Sequence, residues 1–286
     1  MKKIIKKVPE FWNYLTDEQI YKMYESEVKH SNRLRIVDSE ERKSLYEKVY
    51  EDYYSELPFH PAFKVKNNKD IQENRLDFQL NKLIPIINES QNFVEIGAGD
   101  CALSKKISTH VSKIYALEIS ETYASQSDEL PSNMEIVIFD GFNFPFEANS
   151  IDFIYSNQLI EHLHSDDALE QLKSIFNCLK KGGKHMCITP NRLLGPGDIS
   201  GHFGNEPIGF HLKEYTDLEL RSILKSVGFK TFKFQTIVKG KSIYIPFFVK
   251  WIIEKYFLQI SKKKREKLLE YRIISIIFNT VIIAKK

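Results

Sequence analysis

Phe93-Val94-Glu95-Ile96-Gly97-Ala98-Gly99-Asp100 is an apolar run that breaks on two glycines flanking an alanine. An apolar run of this length reads as a buried strand, and the small residues after it as a turn whose backbone can approach a ligand closely. A helix is expected to follow from near Leu103. Alone, this turn fits any fold that binds a nucleotide or nucleoside, so the residues around it have to narrow the reading.

From Asn92 onward short apolar runs alternate with amphipathic helical stretches. The strands read as Phe93–Ile96, Lys113–Leu117, Glu135–Phe139, Asp152–Ser156 and Lys184–Thr189. Ala168, Leu169, Leu172, Ile175, Phe176 and Leu179 form one helical face between the last two, ended by Gly182-Gly183. Thr216 and Glu219 have capping-box spacing, and an apolar stripe from Leu220 to Val227 runs to Gly228. Lys230–Gln235 and Ile274–Ala284 read as two final strands, with a helical insert at about 243–272 rather than a tight hairpin between them. This alternation predicts an α/β, Rossmann-like, seven-stranded and mostly parallel sheet with helices on both faces.

The spacing of acidic residues sharpens the turn. Glu118 closes the second strand about 20 residues beyond the glycines, where a carboxylate can accept both ribose hydroxyls. Asp140 closes the third strand, placed for an adenine amino group. Glu95, Gly97, Ala98, Gly99, Glu118, Ile119, Asp140, Gly141 and Asn157 are therefore the expected cofactor contacts, along the carboxyl edge where such sheets bind ligands.

Residues 1–75 read differently. They are rich in Tyr, Lys and Glu, with a capping box at Thr16 and Gln19 and tyrosines 46, 50, 53 and 54 at helical intervals. Pro58 and Pro61 interrupt them, and a further helix is expected over 74–88. The expected organisation is a helical cap over 1–75 and an α/β domain over 76–286.

Bulk properties exclude several classes. Hydrophobic residues at 42% of the 286 support a substantial core, and a formal charge of +3 provides no basic stripe for a nucleic-acid partner. Three scattered cysteines, 101, 178 and 187, form no CxxC pair and fit a reducing, cytoplasmic setting. The basic N-terminus lacks the apolar region of a signal peptide, and no apolar run is long enough to span a bilayer. Nothing in the sequence sets an oligomeric state.

Residues from about 90 to 235 resemble the class I S-adenosylmethionine-dependent methyltransferases, in the broad subgroup that includes quinone-biosynthesis enzymes. The matching pieces are Glu95–Gly99, Glu118, Asp140-Gly141-Phe142-Asn143-Phe144-Pro145-Phe146, Ser150–Ile154, Leu159-Ile160-Glu161-His162-Leu163, Leu179–Gly183 and Thr189-Pro190-Asn191. The resemblance implies S-adenosylmethionine as cofactor. Cys101 stands where a dinucleotide site commonly has a third glycine, which favours the methyl donor over NAD. Titration with both cofactors would separate a nicotinamide-dependent oxidoreductase from this reading.

Methyl transfer is an in-line displacement, so the protein mainly aligns donor and nucleophile, and a hydroxyl nucleophile needs help in losing its proton. Candidates cluster after the fourth and fifth strands: Asn157, Gln158, Glu161, His162, His164, Asn191, Asp198, His202 and His211. His211 and His202 are the preferred bases, since a neutral imidazole suits deprotonation near neutral pH, and His162 is the third catalytic candidate. His60 reads as a turn histidine. Metal-dependent O-methyltransferases similar to this chain carry Glu-x-x-Glu-His, and those acting on RNA add Thr-Pro-Asn and a distant His. Here Gln158 replaces one acidic ligand, so no metal ligands are assigned.

The expected activity is O-methylation of a small-molecule or saccharide-type acceptor. RNA 2′-O-methylation with a metal-assisted site and a non-catalytic cofactor-binding module are the alternatives. The apolar stretch 244–257, followed by Lys262-Lys263-Lys264-Arg265, reads as a helix packed on the core or a partner. It also offers a peripheral membrane contact through 244–265.

Overall fold

All five expected strands from Phe93 to Thr189 lie in one sheet of the computed structural model, which describes residues 4–5, 8–66, 68–119, 129–238, 241–278 and 280–286. They are β1 (Asn92–Ile96), β2 (Lys113–Glu118), β3 (Met134–Ile138), β4 (Ile151–Asn157) and β5 (Leu179–Thr189). β6 (Thr231–Val238), β7 (Lys241–Ile245) and β8 (Thr280–Lys285) complete the order β3-β2-β1-β4-β5-β8-β6-β7. β1 to β5 run parallel, in registers such as Val94 opposite Tyr115 and Ile154, while β8 is antiparallel to both β5 and β6. Strand order reverses at β1 and β4, which opens a crevice at their carboxyl ends.

The strands are apolar on both faces because both are covered. Phe93, Ile114, Phe153 and Met186 join one buried cluster, and Val94, Leu117, Ile154 and Cys187 another. α5 (Ala102–Ile107) and α4 (Lys69–Leu83) pack together, on the side of the first. α6 (Ser165–Cys178) and α7 (Asp217–Val227) cover the second. Both predicted capping boxes form: Gln19 N donates to Thr16 Oγ1 at 3.2 Å, and Glu219 N to Thr216 Oγ1 at 3.2 Å.

Four expectations need correction. The sheet has eight strands, because 241–245 pairs antiparallel with β6 as an edge strand instead of joining the helical insert. Its alternating residues are half exposed, so it lacks the continuous apolar signal of its neighbours. The last strand begins at Thr280 rather than 274, since the apolar run before it coils into α10 (Arg272–Ile277), and periodicity does not separate short helices from strands in such runs. Helix α6 ends at Cys178, leaving Gly182 (φ +85°) and Gly183 inside β5, and the helix expected over 74–88 is α4, with a 3-10 turn at Ile84–Ile86.

α1 (Asp17–Ile36) and α2 (Ser39–Glu56) pack side by side, and α3 (Pro61–Lys66) leads to α4. α2 is clamped to α6 by a buried ion pair: Arg42 Nε donates to Asp167 Oδ2 at 2.5 Å and Nη2 to Oδ1 at 3.1 Å. Ser39 and Tyr46 hydroxyls donate to the same carboxylate at 2.9 and 2.8 Å. Burial alone would push Asp167 up, but these bonds and the Arg42 charge hold it below the ordinary carboxylate range.

Removing one partner of such a pair strands a buried charge. Arg42→Ala is expected to cost about 3–5 kcal/mol in urea unfolding, whereas Arg42→Met combined with Asp167→Leu costs much less.

Candidate functional site

The glycine turn after β1 is built by backbone hydrogen bonds. Gly97 N and Ala98 N donate to Leu117 O at 2.9 and 3.1 Å, folding the chain back over the end of β2. Gly97 and Gly99 have φ of +71° and +54°, in the left-handed region where a side chain is strained. Cys101 also has positive φ (+60°) and sits at the N-cap of α5. Glu95 is buried below the turn, its Oε2 accepting from Ser104 Oγ at 2.5 Å, and burial pushes its carboxyl up to about 8.

Glu118 is brought to the turn as expected. Its Oε2 accepts from Gly99 N and its Oε1 from Ile119 N, both at 2.8 Å, so strand end and turn hold one carboxylate between them. Asp140 caps its own loop: Oδ1 accepts from Phe142 N (2.8 Å) and Asn143 N (2.6 Å), and Oδ2 from Asn143 Nδ2 (2.6 Å). Burial pushes this carboxyl up, but the three bonds outweigh it and hold it below the ordinary value. Gly141 (φ +87°) lies beside Ile119, whose Cγ2 would be 3.6 Å from an added Cβ.

A cleft of about 750 Å³ opens at the carboxyl edge, between the turn, the ends of β4 and β5, and α4. Glu95, Gly97, Ala98 and Asn157 line it; Gly99, Glu118 and Ile119 are tied to the turn beside it by hydrogen bonds, and Asp140 and Gly141 are not among its lining residues. Sequence reasoning missed the α4 wall, formed by Gln72, Arg75, Gln79 and Lys82. Their spacing of three, four and three places them on one helical face, a signal that was available. Gln79 Oε1 accepts from Tyr155 Oη at 2.8 Å, and burial lowers Lys82 to about 8. Asp100 at the turn and Arg75 and Lys82 on α4 thus line the same cavity, with the Glu95 carboxyl at its floor. That fits a ligand bearing an ammonium, a carboxylate and a ribose.

Behind the cleft the structure gathers Glu161, His162 and His211, with one ligand atom from each within 4.8 Å of the others. Glu161 sits in the 3-10 turn Ile160–His162 after β4 and is fully buried. Its Oε2 accepts from Thr189 Oγ1 at 2.8 Å, and its Oε1 has no hydrogen-bond partner. Thr189 lines the cleft, so it joins the two regions. Burial raises Glu161 to about 7. Burial and the neighbouring His211 lower His162 to about 3.

His211 is held by Glu214, a residue that sequence reasoning did not single out: His211 Nδ1 and Glu214 Oε1 are 2.6 Å apart. Burial works against its charge, but Glu214, Glu161 and Asp198 raise it above the ordinary imidazole value. His162 Nδ1 is likewise anchored, 3.0 Å from Tyr50 Oη on α2. The two rings stand 5.0 Å apart and nearly perpendicular.

His202 is not brought to this group. It ends the 3-10 turn Ile199–His202 and packs at 5.5 Å on Trp12 from the N-terminal region, away from the residues lining the cleft. Asp198 ties its own loop together through Ser200 and Gly209, Asn191 donates to Glu254, and His164 caps α6. His60 is the turn histidine expected, with Nδ1 accepting from Ala62 N and its ring among Tyr53 and Tyr54.

A parallel sheet with a switch point at β1 and β4, a glycine turn and an acidic residue closing β2 define a nucleoside-binding α/β domain of the class I methyltransferase type. Residues 94–187 match the family model described as a methyltransferase domain. About a third of the chain, residues 94–187, thus carries a methyltransferase domain. The chain is 28% identical over 124 residues to the biotin biosynthesis bifunctional protein BioHC of Cellvibrio japonicus, over 42% of this chain and 23% of that protein. The chain thus spans about a quarter of that relative's length.

The fold is similar to a putative methyltransferase of Haloferax volcanii solved with its Trm112 activator, at TM-score 0.52 and 16% identity over 76% of this chain and 92% of that one. It is also similar to an S-adenosylmethionine-dependent methyltransferase from Archaeoglobus fulgidus, at TM-score 0.51 and 18% identity over 74% and 94%.

Two measurements test the cofactor half. Gly97→Val forces a side chain into positive φ at a cost of about 1–3 kcal/mol, and calorimetry should show S-adenosylhomocysteine binding at least about ten-fold weaker. Glu95 stands near 8 when folded against 4.5 ordinarily. It therefore favours the folded state below pH 4.5, and this contribution is lost as pH rises toward 8. Glu95→Gln should flatten that part of the stability profile in urea melts.

Proposed function

We propose that the protein is a methyltransferase that transfers the methyl group of S-adenosylmethionine to a hydroxyl oxygen of a small-molecule or saccharide-type acceptor. The observation that carries this reading is the His211–Glu214 pair beside Glu161 and the cleft-lining Thr189. An amine presented neutral, or a thiolate, needs no strong base, whereas a hydroxyl must lose a proton as its oxygen is alkylated. Buried acid–histidine pairing at the acceptor side supplies such a base.

The cofactor supplies an electrophilic methyl group on a sulfonium. The glycine turn and Glu118 would hold its nucleoside, and Glu95, Asp100 and Arg75 its amino-acid end. Glu214 fixes the His211 ring through Nδ1 and leaves Nε2 to take the acceptor proton, an orienting role that a carboxylate plays in acid–histidine pairs generally. Glu161, with one oxygen unpaired and a raised carboxyl, is suited to hold the acceptor hydroxyl. The helical region before residue 76 encloses this side through Tyr50, which packs on Phe210 and meets His162, and supports a small acceptor over a polymer.

A second reading is favoured by one feature of the same group. Both histidines are anchored at Nδ1, to Tyr50 and to Glu214, and each offers one ligand atom that lies within 4.8 Å of the other's and of a Glu161 oxygen, as metal-ligating histidines held by an outer partner do. Glu161, His162 and His211 would then hold a divalent ion, a Lewis acid toward the hydroxyl. The remaining carboxylate count is low for a hard cation, because Gln158 stands in the acidic position.

His211→Ala and Glu214→Gln should each lower turnover by about 10²–10⁴-fold, the typical worth of a positioned base, while S-adenosylhomocysteine affinity stays within about two-fold. Label transfer from methyl-tritiated cofactor into metabolite pools provides the assay. Loss of activity on chelation, restored by a divalent ion, selects the second reading; chelator-insensitive turnover selects the first.

A further inference from the structure

Helix α8 (Phe247–Gln259) buries Phe257 together with two charged residues and leaves a larger apolar face outward. Phe248, Trp251, Ile252 and Tyr256 repeat at the intervals that normally face a core, yet they are 63%, 46%, 55% and 44% exposed. The buried side of the same helix carries Lys250 and Glu254, at 1% and 0% exposure. These two charges fix its rotation. Lys250 Nζ donates to Asp217 Oδ2 and to Ile277 O. Glu254 caps the start of α7, accepting from Asp217 N at 2.7 Å and Leu218 N at 3.0 Å, and also accepts from Asn191 Nδ2 at 3.0 Å. Turning the apolar face inward would strand both charges, so its exposure is built into the packing.

The next helix supplies what lies beside that face. α9 (Lys262–Leu269) holds five basic residues and one acidic one, so the flank of the apolar face is strongly positive. Lys263, Lys264 and Lys267 are exposed, and the Lys264 ammonium lies 5.6 Å from the Tyr256 ring. Lys255 stands exposed among the apolar side chains, with an aliphatic stem able to lie along them. Exposed Tyr244 of β7 and Tyr271 after α9 extend the aromatic character.

We propose that α8 and α9 form an interfacial docking face for an anionic lipid bilayer, with Phe248, Trp251, Ile252 and Tyr256 entering the headgroup boundary and the α9 lysines pairing with lipid phosphates. An apolar face rimmed by Trp, Tyr and Lys is the pattern that lies in such an interface. No helix among the described residues is long and apolar enough to cross a membrane, so contact is peripheral. A second copy is the poorer occupant, because two-fold pairing would bring the basic flanks together with only Glu266 and Glu270 to offset them. The face adjoins the site: Leu193, beside the cleft-lining Leu194, is buried against the Phe257 cluster. This inference stands apart from the acceptor reading, since it uses none of the residues of that group.

The test uses the full chain with vesicles of phosphatidylcholine alone or with about 30% phosphatidylglycerol. Sedimentation should show at least about ten-fold stronger partitioning onto the anionic vesicles, weakened as salt rises. Trp251 is one of two tryptophans, the other being Trp12 against His202, so its emission should shift blue and be quenched by brominated lipid. Phe248→Ser with Trp251→Ser and Ile252→Ser should abolish partitioning while S-adenosylhomocysteine affinity is kept. Lys263→Gln with Lys264→Gln and Lys267→Gln should remove only the anionic preference, and provides a second variant should the first misfold. Equal partitioning of the wild type onto both vesicles, or no quenching of Trp251, would overturn the proposal. So would a wild-type dimer that Trp251→Ser converts to monomer.

Discussion

The buried Arg42–Asp167 ion pair fixes α2 against α6, and with it joins the cap to the sheet, in a place from which water is excluded. A charged pair in that position contributes orientation more than net stability, because the desolvation of both groups offsets most of their attraction. Tyr46 and Tyr50 follow on the same helix, one donating to Asp167 and the other meeting His162. This joint, together with the Arg35 bonds to carbonyls of the loop at 207–212, positions the N-terminal helices and, through Tyr50, the His162 imidazole.

The two halves of the site obey different constraints. The cofactor half is made of strand ends and one turn, held by backbone donors: Gly99 and Ile119 amides on Glu118, and Leu117 O under the turn. The group of Glu161, His162 and His211 is made of side chains from separate segments, largely buried together and altered by that burial. Glu161 near 7 and His162 near 3 are consequences of desolvation, and His211 moves the other way because three carboxylates surround it. Such a group is costly to assemble without a use, since unpaired buried polar atoms such as Glu161 Oε1 destabilise a fold.

Helix α8 shows the same economy. Its inward charges are satisfied by a helix start and a backbone carbonyl, and these contacts in turn set Asn191 and the 3-10 turn at Arg192–Leu194 beside the cleft. The outer face and the cleft wall are therefore parts of one packed unit.

The strands β1 to β5, the glycine turn, Glu118 and both capping boxes were legible because each rests on local patterning: an apolar run, a small-residue turn, an acid at a strand end, a Thr three residues before Gln or Glu. The edge strand β7 and the helix α10 were misread because short or one-sided segments have no distinctive period. The spacing of Gln72, Arg75, Gln79 and Lys82 marks one helical face, but only packing brings that face of α4 to the cavity; Glu214 stands three residues after His211, a local spacing that sequence reasoning passed over. Sequence also offered His202 and His211 as equals. Tertiary structure separated them, placing one against Trp12 and the other against Glu161 and His162. What the chain by itself determines is the α/β domain and its glycine turn, through contacts within strands and turns; that Glu161, His162 and His211 meet is decided by burial between segments distant in sequence, which local patterning does not encode.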